Sequence, residues 1–291
     1  MRIVRTISEL RIALRDAREY GATRVGMIPT MGALHEGHLS LVRAARMESD
    51  VVVMSIFVNP TQFSEAADLD AYPRQEAQDA ALAEEAGVNL IFAPEASELY
   101  PTGYSTTVHV AGSITETLEG AGRGSAHFDG VATVVAKLLL AALPDSAYFG
   151  QKDAQQVLVV QRMVADLGIP TRVVACPTSR DEDGLARSSR NVRLSAGERD
   201  RALAIPRALD KARAAVTEGE TTVETLRSQA ERALAAADIV PEYLAFVSPE
   251  TLLPVASVTE PVLMVVAARV GDIRLIDNVV LGGAPTETNK E

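Results

Sequence analysis

The sequence is poor in cysteine and in aromatic residues. It has one cysteine, Cys176, no tryptophan, and only 4% aromatic residues among 291 positions. A single cysteine forms neither an internal disulfide nor a thiolate metal cluster, so we expect a protein of a reducing compartment. So few aromatic rings leave little material for the base-stacking surfaces that bind single-stranded nucleic acid.

Positive charge is also scarce, with 28 Lys and Arg against 39 Asp and Glu and a formal net charge of -11. This balance argues against bulk attraction to nucleic acid or to anionic lipid, so we expect neither as a partner. Any anionic ligand must be bound by local basic groups.

Long apolar runs are absent as well. The two most apolar runs, residues 51–58 and 131–143, are shorter than the roughly 20 residues that a membrane span needs. Lys137 interrupts the second run, and we expect its ammonium group to reach water along the helix. Residues 1–20 lack the apolar core of a signal peptide. We therefore expect a cytoplasmic protein without a membrane segment.

Short apolar runs alternate with helical patterns through the first part of the chain. A capping box of Thr6 and Glu9 predicts an opening helix. Buried strands are predicted at residues 25–28, 51–58, 89–92, 147–149 and 172–175, and further helices at residues 39–48, 77–86, 131–143 and 154–167. This alternation predicts an α/β fold, a Rossmann-like parallel sheet with helices on both faces.

The pattern changes after residue 178. A polar stretch, residues 178–191, precedes two predicted helices, residues 195–216 and 221–237, which begin with Ser195-Glu198 and Thr221-Glu224 as capping boxes. Strands are predicted at residues 243–247, 262–268 and 273–281, and residues 282–291 are typical of a disordered tail. We therefore predict a domain of residues 1–178 and a smaller α+β C-terminal domain of residues 179–291.

The segments that follow the predicted strands are the candidate ligand sites, because open parallel sheets bind ligands beyond the carboxyl ends of their strands. Residues 29–38 place His35 and His38 three positions apart at a helix start, where backbone N–H groups already favour phosphate. The alternative is a capped helix with two exposed histidines. A metal site is a weaker interpretation, since no third ligand is evident.

Three other segments combine polar groups with turns. Residues 59–63 offer amides for a small polar substrate, or form only a turn. In residues 149–156, Lys152 suits a phosphate and Asp153 a ribose hydroxyl, unless Asp153 caps the helix and Lys152 is solvated. In residues 183–191, hydroxyls beside guanidinium groups form either a phosphate clamp or a solvated linker.

Five ordered motifs resemble those of the pantoate-beta-alanine ligase family, within the HIGH-motif nucleotidyltransferase superfamily. They are residues 29–38 (PTMGALHEGH), 55–63 (SIFVNPTQF), 70–74 (DAYPR), 149–156 (FGQKDAQQ) and 188–191 (SSRN). The resemblance covers nearly the whole chain. It implies a homodimeric enzyme that joins pantoate to beta-alanine with ATP and Mg²⁺, through an enzyme-bound pantoyl adenylate.

The resemblance also implies roles for individual residues. His38 matches a proton donor, and His35, His38 and Lys152 form the implied catalytic set. Gln62 and Gln156 match glutamines that bind the pantoate and beta-alanine substrates, and Asp79 lies where a magnesium-associated carboxylate is expected. The implied ATP-binding residues are Met31, Gly32, Ala33, Leu34, His35, Glu36, Gly37, His38, Gly150, Gln151, Lys152, Asp153, Ser179, Arg187, Ser188, Ser189 and Arg190.

The sequence departs from the family pattern at four places in or near the implied site. Gln151 replaces a glutamate, Arg187 replaces a methionine, and Ser179 replaces a valine whose backbone meets adenine. The spacing from Arg123 to His127 is one residue longer than usual, so neither is included in the catalytic set. Two alternatives stay open at this point: another small-molecule nucleotidyltransferase of the superfamily, and a catalytically inactive nucleotide-binding protein.

Overall fold

The computed structural model describes residues 1–63 and 69–282. The chain forms two compact units, Met1–Ser179 and Arg180–Glu291. Apart from Gly282, the tail predicted to be disordered lies outside the described residues. None of the helices in the described ranges is both long enough and apolar enough to cross a bilayer.

The first unit alternates strands and helices along the chain. Its strands are β1 (Arg2–Val4), β2 (Val25–Thr30), β3 (Val51–Ile56), β4 (Leu90–Phe92), β5 (Ser146–Gly150) and β6 (Arg172–Cys176). Its α-helices are α1 (Ile7–Glu19), α2 (Glu36–Glu48), α3 (Glu76–Glu85), α4 (Ala96–Leu99), α5 (Ser113–Glu116), α6 (Glu119–Arg123), α7 (Ser125–Ala142) and α8 (Ala154–Asp166). Single 3-10 turns follow β3 at Pro60–Gln62 and β5 at Gln151–Asp153.

The six strands form one parallel sheet in the order β1-β4-β3-β2-β5-β6. Strand β2 is central, with β3 on one side and β5 on the other. The chain proceeds outward from β2 through β3 and β4, then returns to the other side of β2 with β5. The carboxyl ends of β2, β3 and β5 are therefore neighbours at a reversal of strand order, where open α/β sheets bind ligands.

Both faces of the sheet are covered because the strand side chains alternate in direction and are apolar on both sides. On one face, Ile28, Met54 and Tyr148 belong to a core with α2 and α3. On the other, α7 contacts β2 and α8 contacts β5, and Met27 and Phe149 are buried. The predicted Rossmann-like sheet with helices on both faces is confirmed.

The second unit is a three-stranded antiparallel sheet, in the order β7-β8-β9, with helices packed against it. Its strands are β7 (Pro241–Val247), β8 (Val262–Val270) and β9 (Ile273–Leu281), and its α-helices are α9 (Ala196–Ala202), α10 (Ala204–Thr217) and α11 (Val223–Ala235). A 3-10 helix, Ser189–Arg193, precedes α9. The predicted smaller α+β fold is confirmed.

Three local predictions need correction. The helix predicted over residues 195–216 is divided at Leu203, because Pro206 has no N–H to donate to the carbonyl group of Ala202. The capping box at Thr221 is wrong: Thr222 is the N-cap, without a side-chain cap bond. Strand β1 is an addition to the predicted strands, since three residues are too few to show a period.

Candidate active site

A tight turn joins β2 to α2 and brings the predicted phosphate-binding segment to the carboxyl edge of the sheet. Gly32 and Ala33 both have left-handed backbones, with φ of 86° and 50°. Glycine is needed at the first position, since a Cβ on Gly32 would lie 2.8 Å from an oxygen of Asp79. The Thr30 hydroxyl accepts from the Gly32 N–H at 3.2 Å.

Asp79, in the first turn of α3, fixes the second half of this turn. Its Oδ2 accepts from the Ala33 N–H at 2.9 Å and its Oδ1 from the Leu34 N–H at 2.7 Å. The side chain is buried, with the residue 1% exposed. Both oxygens of the carboxylate therefore accept hydrogen bonds from backbone N–H groups. The position of Asp79 in the sequence does not predict these contacts.

The two histidines of the motif cap α2 with their own rings. His35 Nδ1 accepts from the Gly37 N–H at 3.1 Å, and His38 Nδ1 accepts from the His35 N–H at 3.3 Å. The ring centroids are 4.2 Å apart. Because each Nδ1 is an acceptor, the proton of each neutral imidazole is on Nε2. Of the alternative, a capped helix with two exposed histidines, the cap is present, but both histidines are half-buried rather than exposed.

The protonation state of His38 follows from its surroundings. Burial, and then the electrostatic effects of the neighbouring His35 and Lys152 side chains, lower the pKa of His38 from 6.5 to about 3. The ring is therefore neutral near pH 7 and offers Nε2–H as a hydrogen-bond donor. Lys152 lies in the segment after β5, and β5 pairs with β2 in the sheet.

The segment after β3 is organised by a buried amide, Asn59. Its Nδ2 donates to Oε1 of Gln62 at 3.0 Å and to the carbonyl oxygen of Gly130 at 3.1 Å. Its Oδ1 accepts from the Tyr100 hydroxyl at 2.7 Å and from the Thr61 hydroxyl at 3.0 Å. Asn59 thus fixes the orientation of the Gln62 amide.

Helix α7 holds the main chain of the same segment. Gly130 allows a close approach, since a Cβ there would lie 2.4 Å from the Thr61 carbonyl oxygen. His127 Nδ1 lies 2.9 Å from the Gln62 carbonyl oxygen, which accepts a hydrogen bond from the ring N–H. His127 is left out of the sequence-predicted catalytic set because of its spacing from Arg123, and that spacing gives no sign of this contact with Gln62.

Two tyrosine rings cover the ammonium group of Lys137. Its Nζ lies 4.9 Å from the ring centroid of Tyr104 and 5.7 Å from that of Tyr100. The sequence predicts only that this ammonium group reaches water along the helix; the structure adds two aromatic faces beside it, to which a cation is attracted. Through Tyr100, Lys137 adjoins the Asn59 network rather than a bare helix surface.

In the segment after β5, the adjacent residues Gln155 and Gln156 differ in burial. Gln155 is buried and binds main chain: its amide nitrogen donates to Ile114 and Thr117 carbonyl oxygens, and its oxygen accepts from the Glu119 N–H. Gln156 is half-buried. Lys152 is also half-buried. Asp153 is the N-cap residue of α8, as the capping alternative has it, but its side chain is exposed and makes no cap hydrogen bond.

The remaining predicted ATP residues lie at and after the division between the units. Ser179, half-buried, is the last residue of the first unit. In the second unit, Ser188 caps the 3-10 helix, accepting from the Arg190 N–H at 3.3 Å. The guanidinium group of Arg187 pairs with Asp181 at 3.2 Å, so its charge is already compensated within that unit.

The structure brings Met31–His38, Asn59–Gln62 and Gln151–Gln156 to the ends of three adjacent strands. Within residues 1–63 and 69–282, no group of three His, Cys, Asp or Glu side chains is placed to hold a metal ion. The arrangement instead offers neutral N–H donors, the N-terminus of α2 and one lysine, which together suit a phosphate group.

Comparison with known proteins agrees with this geometry. The family model described as pantoate-beta-alanine ligase matches residues 2–280. The chain is 51% identical to a pantothenate synthetase of Chelativorans sp. over 95% of this chain and 96% of that protein. It is similar to the solved pantothenate synthetase of Thermus thermophilus, with a TM-score of 0.88 and 50% identity over 96% of this chain and 99% of the other.

A second solved relative is the pantoate-beta-alanine ligase of Francisella tularensis complexed with beta-gamma ATP and beta-alanine. Its TM-score is 0.77 at 31% identity, over 98% of this chain and 100% of that chain. The family model matches almost the whole chain, and the relatives from Chelativorans sp. and Thermus thermophilus share about 50% sequence identity with it over nearly their full length. The chain belongs to the pantoate-beta-alanine ligase family.

Proposed function

We propose that this ligase condenses pantoate with beta-alanine in two steps at the carboxyl edge of its parallel sheet, through a pantoyl adenylate. The observation that supports the two-step route is the pairing of a donor-rich phosphate segment after β2 with an amide segment after the neighbouring β3. The product, pantothenate, would then enter coenzyme A biosynthesis.

The chemistry of a carboxylate explains why two steps are needed. An amine does not displace oxide from a carboxylate. In the first step a pantoate carboxylate oxygen attacks the α-phosphorus of ATP, the bond to the bridging oxygen breaks, and pyrophosphate leaves. In the second step the beta-alanine amine attacks the acyl carbon, AMP leaves, and the amine loses a proton. Atoms and charges balance without an oxidant or a reductant.

Donors for the first step lie at the β2 and β5 ends of the sheet. Negative charge grows on the α-phosphoryl oxygens and on pyrophosphate, so preorganised cations and N–H groups stabilise the transition state. We assign this task to Nε2–H of His35 and of His38, to Lys152 and to the N-terminus of α2. Since the pKa of His38 is about 3, His38 acts as a neutral hydrogen-bond donor rather than as an imidazolium acid.

Pantoate is assigned to the amide segment. Gln62 is held through its side chain by Asn59 and through its carbonyl group by His127, so its remaining donors have a fixed direction. Gln156 follows β5, on the other side of β2. Neutral amides can bind the hydroxyl and carboxylate groups of a small acid in a chain whose formal charge is -11.

Further properties implied by the family stay predictions. They are the ATP contacts of Gly150, Gln151, Asp153, Ser179, Arg187, Ser188, Ser189 and Arg190, the homodimer, the cytoplasmic location and the need for Mg²⁺. Mg²⁺ commonly binds ATP enzymes through substrate phosphates and one or two carboxylates. Among the described residues, no group of three His, Cys, Asp or Glu side chains is placed to hold a metal ion.

The two-step route is tested by isotope exchange. With ATP, Mg²⁺ and pantoate but no beta-alanine, the protein should exchange labelled pyrophosphate into ATP, because adenylate formation is reversible before the amine enters. Exchange that strictly requires beta-alanine would contradict the route. ATP binding without any exchange or turnover would favour an inactive nucleotide-binding protein.

The neutral state of His38 predicts a pH dependence of stability. Unfolded histidine gains a proton near pH 6.5, whereas folded His38 gains one only near pH 3. The unfolded state binds more protons between these values, so this group lowers the free energy of unfolding as pH falls through that window, by up to about 2 kcal/mol at pH 5.

Denaturant unfolding at pH 7 and pH 5 measures this effect. His38→Gln should lose less stability than the wild type between the two pH values, because the variant has no imidazole to protonate at that position. Nitrogen NMR of the wild type should show an unchanged His38 ring between pH 8 and pH 5. A His38 titration midpoint between pH 6 and pH 7 would rule out the neutral-donor assignment.

The pantoate assignment predicts selective kinetic defects. Gln62→Ala and Gln156→Ala should each lower kcat/KM for pantoate by about 5-fold to 150-fold, since each loses one partner of a buried polar contact. The KM for ATP should change less. Gln161→Ala is the matched control, because Gln161 is exposed on the same helix as Gln156. Wild-type pantoate kinetics in Gln62→Ala would remove Gln62 from the site.

A further inference from the structure

Asp79 is a buried acidic residue, and its side-chain hydrogen bonds to the segment after β2 go to backbone. Both of its oxygens accept N–H groups of consecutive residues, Ala33 and Leu34. A cation bound by this carboxylate would have to share or displace those bonds, and it would meet the positive ends of two amide dipoles. The geometry therefore favours a task for Asp79 other than binding a metal ion.

The turn that Asp79 binds needs an external restraint. Ala33 has φ of 50°, a backbone conformation that residues with a Cβ rarely adopt, and it follows Gly32, which is also left-handed. Gly32 adopts this conformation without a steric cost, but Ala33 has a Cβ and retains it only where its surroundings hold it. The two hydrogen bonds from Asp79 select this conformation over the extended alternatives.

Asp79 itself is well anchored. The first turn of α3 is tied to the chain after β1, where Arg5 donates to both oxygens of Glu76 at 2.8 and 2.6 Å. One turn later, Ala83 is buried in the core that α2 also enters. The carboxylate is therefore fixed by the body of the unit, and it can transmit that position to the turn.

The turn continues directly into the two imidazoles. Leu34, bound by Asp79, precedes His35, whose N–H donates to His38 Nδ1. We infer that Asp79 is a positioning residue that holds this turn, and through it fixes the Nε2–H tautomers and the directions of His35 and His38 toward phosphate. The kinetic part of this inference rests on the proposed function; the structural part does not.

The kinetic test uses Asp79→Asn, which keeps the size of the side chain but replaces one acceptor oxygen with an NH₂ group that faces a backbone N–H. We expect kcat/KM for ATP to fall by about tenfold to a hundredfold, with a smaller change in the KM for pantoate. The Mg²⁺ concentration for half-maximal rate should stay unchanged. A severalfold rise in that concentration would overturn the inference and identify Asp79 as a metal ligand.

The spectroscopic test needs no activity. The chain has four histidines, so the imidazole nitrogens can be resolved by NMR in ¹⁵N-histidine-labelled protein. In the wild type, His35 and His38 should each show an unprotonated Nδ1 and a protonated Nε2. Asp79→Asn should shift both rings toward an average of the two tautomers. A folded variant whose His35 and His38 signals match the wild type would refute the positioning role.

Two further variants keep the result interpretable. Asp50 also accepts backbone N–H groups, those of Thr23 and Arg24 at 2.9 Å each, but at the amino edge of the sheet; Asp50→Asn should leave the histidine signals unchanged. If Asp79→Asn does not fold, Gly32→Ala perturbs the same contact from the turn and should average the same tautomers. Wild-type protein without ligase activity would contradict the proposed function alone.

Discussion

The pairing of one buried carboxylate with two consecutive backbone N–H groups holds the turn between the central strand and α2, where the site begins. A carboxylate removed from water needs strong hydrogen-bond partners, and a left-handed turn needs an external acceptor. The N–H groups of Ala33 and Leu34 are the hydrogen-bond partners of the Asp79 carboxylate, and that carboxylate is the external acceptor for the turn. The same pairing sets the start of α2, and with it the place of both imidazoles.

The neighbouring segment is built from neutral groups instead. Asn59 uses both its amide nitrogen and its oxygen within the protein, and it thereby orients Gln62 without adding charge. In the proposed function, one half of the site supplies N–H donors and a lysine for phosphates, and the other supplies neutral polar contacts for a small acid. This division suits a reaction in which a carboxylate must approach a polyphosphate. The carboxylate then has its own binding groups and does not compete with the polyphosphate for the same donors.

Local and repetitive signals made much of the fold predictable. The continuous apolar strands indicated a sheet buried on both faces, and the boxes at Thr6 and Ser195 are complete within four residues of sequence. Contacts between distant segments were not accessible in this way. Asp79 is 46 residues from Ala33, and nothing in the sequence near Lys137 indicates that two tyrosine rings lie over its ammonium group.

The central claim is that the pantoate carboxylate attacks the α-phosphorus of ATP at the donor-rich end of β2. Pantoate with its carboxylate oxygens replaced by the heavy isotope of oxygen tests this directly, because the attacking oxygen stays with the phosphorus when the amine displaces AMP. Mass spectrometry of a complete reaction should find one heavy oxygen in AMP and none in pyrophosphate. Unlabelled AMP, or heavy oxygen in orthophosphate together with ADP, would contradict the account.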